Sequence, residues 1–70
     1  MKLKCLKDYN GYYTEGECYN IVDRSYRRLV IEVNKGFTYN KTMRVEIVCT
    51  EEEIEKGIIR NSDVEFMILD

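Results

Sequence analysis

The side chains able to do chemistry here are tyrosines, arginines, carboxylates and three thiols, because the chain contains no histidine. General acid–base work at neutral pH most often falls to histidine, or to paired carboxylates tuned by their surroundings. Asp8, Asp23 and Asp63 stand in segments rich in Asn, Gly and Ser, where aspartate is expected for turn geometry. The sequence has no glycine-rich phosphate loop and no defensible carboxylate pair. The expectation is therefore a protein that is not an enzyme. The three cysteines, Cys5, Cys18 and Cys49, are odd in number and lack CxxC spacing, which argues against a disulfide framework. Without histidine there is no Cys/His zinc site, so neither metal nor cofactor is expected. Each cysteine falls in a predicted strand, where a free thiol behaves as a small buried apolar group. A reduced, cytoplasmic setting follows.

The six tyrosines carry more promise than the acids. Tyr9, Tyr12 and Tyr13 crowd one loop, and Tyr26 stands in another, flanked by Arg24, Arg27 and Arg28. Tyrosine offers a large amphipathic surface at low entropic cost and is favoured at protein interfaces. Tyr9, Tyr12, Tyr13 and Tyr26, edged by Arg24 and Arg27, are the candidate partner-binding surface. The competing reading is that some of these rings close the open end of the fold. Arginines beside an aromatic also suit single-stranded nucleic acid. The formal charge of −2 and pI of about 5.1 give no overall pull on a polyanion, so nucleic acid is the alternative partner. Glu51, Glu52, Glu53 and Glu55 could mimic phosphate on a host or defence protein that binds nucleic acid. Helix capping explains the same residues.

The elements that must position these groups read mainly as strands. In Met43 to Cys49, Met43, Val45, Ile47 and Cys49 share one face while Arg44 and Glu46 share the other, the period of a half-buried strand. Further strands are expected at Lys2–Leu6, Cys18–Val22, Arg28–Val33, Ile58–Ile59 and Glu65–Leu69. Asn34-Lys35-Gly36 reads as a tight hairpin, with Phe37 to Tyr39 beginning the return strand and Asn40-Lys41 a turn or bulge. Thr50 followed by Glu53 is the capping-box pattern, and Gly57 is a helix terminator, so 50–56 should form a short helical turn anchored by Ile54. Glu65 to Leu69 is apolar on both faces, which implies a central strand or an interface between copies.

Seventy residues make one domain, 1–70, with little area to spare for a deep pocket. Hydrophobic residues at 44% and charged residues at 34% fit a folded domain. No apolar run is long enough to suggest a signal peptide or a membrane span. Five or six short strands cannot bury both sheet faces as an open sheet, so closure into a small antiparallel barrel is expected, with self-association open through its edges.

At this point the layout resembles an SH3-type barrel. Cys5-Leu6-Lys7-Asp8-Tyr9-Asn10-Gly11 is similar to the Ala-Leu-Tyr-Asp-Tyr start of SH3 domains. Glu15-Gly16-Glu17-Cys18-Tyr19-Asn20-Ile21-Val22 is similar to their diverging turn, and Gly57-Ile58-Ile59-Arg60-Asn61-Ser62-Asp63-Val64 to their final turn and strand. The start, with Thr14-Glu15-Gly16 and Tyr19 after it, also resembles small SH3-like proteins of bacteriophages and prophages. These stretches cover about half of the chain. The resemblance implies a barrel and an accessory role in the bacterial cytoplasm, through binding of a host protein. It does not carry polyproline binding. There is no Trp and no Pro, Lys7 replaces the first groove tyrosine, and Asp63 stands where the last would be. Only Tyr9 matches the groove pattern.

Overall fold

Among the described residues, six strands and one helical segment follow in the order β1 Lys2–Asp8, β2 Cys18–Ser25, β3 Arg28–Asn34, β4 Thr42–Val48, α1 Glu51–Lys56, β5 Ile58–Arg60 and β6 Val64–Leu69. This is a computed structural model, and it describes residues 1–34 and 42–70. The expected hairpin tip, return strand and turn across 35–41 lie outside the described residues. The strands form one antiparallel sheet in the order β4-β3-β2-β1-β6-β5. The chain is thus mainly β, as the period-two patterns predict.

Two irregularities bend this sheet. The β1–β6 register shifts between Cys5 and Lys7, and the β2–β3 register shifts between Ile21 and Asp23. A bulge adds local twist and lets a strand turn a corner. The first half of β2 pairs with β1 (Tyr19 opposite Leu3), and its second half pairs with β3 (Arg24 opposite Leu29). One strand therefore serves both halves of the sheet. The core joins Leu3, Cys5 and Phe66 of one half to Leu29, Ile31 and Ile47 of the other, with Ile54 of α1 and Ile59 of β5. Each fully buried side chain of this kind contributes about 1.5–3 kcal/mol.

β1 and β2 outrun the sequence expectation, while β4 begins at Thr42 and ends at Val48, one residue short of the expected Cys49. β1 continues through Lys7 and Asp8, paired with Glu65 and Val64, and β2 continues through Asp23, Arg24 and Ser25, paired with β3. Ladder pairing overrides the low strand preference of these charged residues. Cys18 corrects a second expectation. It is exposed, while Cys5 and Cys49 are buried. Opposite Lys4, it lies on the outer face, and its neighbour Tyr19 turns inward.

The helical turn forms as its sequence predicts. The Thr50 hydroxyl accepts the Glu53 N–H at 3.0 Å, and the Glu53 carboxylate accepts the Thr50 N–H at 2.9 Å. Gly57 ends the helix at φ 78°, a left-handed conformation that costs glycine nothing. Ile54 is its buried anchor. The doubly apolar β6 lies between β1 and β5, with Phe66 buried on one face and Met67 and Leu69 half-buried on the other.

Candidate functional site

The tyrosine loop spans residues 9–17 between β1 and β2, and Asp8 organises it. Its carboxylate accepts the Tyr13 N–H at 2.6 Å and the Asn10 N–H at 3.0 Å. These backbone donors, Tyr13 foremost, hold the Asp8 carboxyl below the ordinary aspartate range, against a smaller opposing effect of desolvation. A carboxylate that closes a turn on its own backbone is the Asx-turn device. Asp63 braces the same loop from the far end of the chain. Its carboxylate accepts from the Asn10 side-chain amide at 2.9 Å, and its carbonyl accepts the Tyr9 N–H at 2.9 Å. At the other end, the Cys5 N–H donates to the Glu17 carbonyl at 2.9 Å and the Gly16 N–H to the Cys5 carbonyl at 2.7 Å.

This scaffold separates the three tyrosines of the loop. Tyr13 turns inward, with its ring edge-on to Phe66 at 5.1 Å and to Tyr19 at 5.7 Å. Its phenol is pushed above the ordinary range by burial first and by the Asp8 charge second. The Tyr19 hydroxyl accepts the Thr14 N–H at 3.0 Å, tying that ring cluster back to the loop. Tyr9 and Tyr12 turn outward, 52% and 64% exposed. Lys7 places its ammonium 5.4 Å from the Tyr9 ring centre, a cation–π contact that fixes one face of that ring.

Tyr12 and Tyr13 wall a cleft of about 290 Å³ with Asn10, residues 46–48 of β4 and the turn at Asn61, Asp63 and Val64. Sequence reasoning missed these opposite walls. The Asn61 side chain accepts the N–H groups of Asp63 and Val64 at 2.8 and 2.9 Å, so this turn is as internally braced as the loop it faces. Its turn composition was visible in the sequence, but no local signal links it to residues fifty positions earlier.

Tyr26, Arg24 and Arg27 belong to a different feature, the β2–β3 hairpin. Tyr26 is 79% exposed at its tip, and Arg27 holds φ at 58°, a left-handed conformation that favours glycine. The tip is fastened to α1. The Arg27 N–H donates to the Glu51 carboxylate at 2.8 Å, and the Arg27 carbonyl accepts the Cys49 N–H at 3.1 Å. Burial raises the Cys49 thiol pKa, Glu53 and Glu51 raise it further, and Arg24 and Arg27 oppose them. The hairpin arginines therefore share their surroundings with carboxylates. Arg28 pairs with Glu46 at 3.4 Å.

Three acidic residues of α1 have local partners too. Glu51 holds Arg27, Glu52 pairs with Lys56 at 2.8 Å, and Glu53 closes the capping box. The second oxygen of Glu53 accepts the Arg60 N–H of β5 at 2.8 Å. These backbone donors, Arg60 first, hold the Glu53 carboxyl below its ordinary range.

Among the described residues, no cluster of three or more acids and cysteines could hold a metal ion. No described helix is long and apolar enough to cross a membrane. No protein-family model, curated protein or solved structure matches this chain.

Proposed function

We propose that this domain is a non-enzymatic protein-interaction module, a phage or prophage accessory factor that binds a host protein in the bacterial cytoplasm. The observation that carries this reading is the outward display of Tyr9 and Tyr12 on a loop that Asp8, Asp63 and the Tyr13 ring hold in place. Rigid tyrosines beside a cleft lose little entropy on binding, and aromatic anchors dominate interface energies. The phage assignment rests on the SH3-like sequence stretches. A sheet whose second strand serves both halves, with the loop between its first two strands bearing the tyrosines, is compatible with that resemblance.

The binding surface in this reading centres on Tyr9 and Tyr12. Tyr13 acts as their support. Tyr26, Arg24 and Arg27 form a second contact region at the hairpin.

The test is affinity capture from bacterial lysate with and without nuclease treatment, comparing the natural domain with a Tyr9→Ala/Tyr12→Ala variant of equal thermal midpoint. A specific protein recovered by the first and lost by the second supports the reading. Recovery that disappears on nuclease treatment moves function to nucleic acid and to the arginine hairpin. Recovery unchanged by the variant removes the tyrosine loop from the interface.

A further inference from the structure

We infer that a second copy of this chain docks on the outer edge of β4, the two β4 strands running antiparallel about a two-fold axis at Val45. Among the described residues, the sheet ends in two very different edges. β5 is three residues long, Ile58–Arg60, and short edges are a common protection against unwanted pairing. β4 is seven residues long and pairs with β3 from Thr42 to Val48 without a register shift. It carries no proline, no bulge and no inward-facing charge, three of the other usual protections. Among the described residues, no backbone hydrogen bond reaches its second edge. Apolar side chains lie exposed along it, with Met43 at 50% and Val48 at 70%.

The sequence of this edge selects its occupant. An antiparallel pair places directly opposed residues on the same face, so a one-residue slip would set inner-face residues of one copy against outer-face residues of the other. Registers that respect the faces differ by two residues. Centring the axis on Arg44 opposes two arginines, and centring it on Glu46 opposes two glutamates. Centring it on Val45 opposes Arg44 of each copy to Glu46 of the other, twice by symmetry. It also sets Met43 against Ile47, Val45 against itself and Thr42 against Val48. The segment is therefore complementary to itself in charge and in face pattern, as an isologous two-fold contact requires.

The chain leaves the needed charges available. Among the described residues, Arg44 makes no ion pair, and the Glu46 contact with Arg28 is an exposed one at 3.4 Å. The cleft along 46–48 separates this part of the edge from Tyr12 and Tyr13.

The experiment is sedimentation equilibrium of the full chain over a concentration series, with charge variants. The natural chain is expected to approach twice the 8.4 kDa monomer mass as concentration rises. Arg44→Glu sets like charges across the axis and should lower the association constant at least tenfold. The double swap Arg44→Glu/Glu46→Arg restores opposite charges in reversed order and should recover most of that loss. Circular dichroism and thermal midpoints verify that each variant is folded. If Arg44→Glu fails to fold, Arg44→Gln at raised salt reads the same contact with a smaller loss. A natural chain that stays monomeric overturns the inference, and so does a dimer indifferent to Arg44→Glu. A double swap no better than the single variant overturns the Val45 register.

Discussion

Replacing Tyr13 by alanine should cost far more stability than replacing Tyr12, although the two are adjacent in one loop. The Tyr13 ring touches Phe66 and Tyr19 edge-on, and Phe66 is fully buried. Truncating a fully buried aromatic costs about 3–5 kcal/mol, and each aromatic pair contributes about 0.5–1.5 kcal/mol. Tyr13 is only half-buried, so a loss of about 2–3 kcal/mol is expected. In a domain of this size that lowers the thermal midpoint by roughly 10–20 °C. Tyr12→Ala, at an exposed position, should stay within about 0.5 kcal/mol. Tyr13→Phe keeps the ring and should fall in the same narrow range. Thermal and urea unfolding followed by circular dichroism would read all three. Equal losses for Tyr12→Ala and Tyr13→Ala would refute the division of the loop into a support and a display surface.

Three further outcomes follow from the same contacts. The folded Asp8 pKa lies below its unfolded value of about 3.9, so the stability it contributes is complete above that pH and is lost as pH falls through the folded value. Asp8→Asn should therefore destabilise the domain at pH 7 and flatten its acid unfolding profile, read by loop resonances in a pH titration. Glu53→Ala removes the acceptor of the Thr50 and Arg60 N–H groups and should cost about 2 kcal/mol, against about 1 kcal/mol for Thr50→Ala, measured by urea unfolding. In the native state, a thiol reagent should modify Cys18 quickly while Cys5 and Cys49, buried and with raised pKa, react only as fast as the domain opens, a difference that peptide mass mapping resolves.

What could be read from the sequence was local. The alternation of Met43, Val45 and Ile47 gave the inward face of β4, although exposure falls from 50% at Met43 to 7% at Ile47 as the strand runs into the core. Thr50, Glu53 and Gly57 announced a helix, because capping needs only neighbours. Cys18 illustrates the opposite case. In Cys18-Tyr19-Asn20-Ile21-Val22 either face could be buried on composition, and only pairing with Lys4 and Leu3 decides it. The bracing of the tyrosine loop by Asp63 was equally hidden, since it joins residues more than fifty positions apart through one side-chain and one backbone hydrogen bond. The partition of the tyrosines followed from those same distant contacts. Spacing placed three in one loop but could not say that Tyr13 meets Phe66.

The central claim, that Tyr9 and Tyr12 are the display surface, is tested most directly by hydroxyl-radical footprinting of the domain with its captured partner. Protection of Tyr9 and Tyr12 on binding, with Tyr13 slow to oxidise in both free and bound states, is the predicted pattern. Protection confined to the β2–β3 hairpin or to α1, with Tyr9 and Tyr12 oxidised as in the free domain, would contradict it.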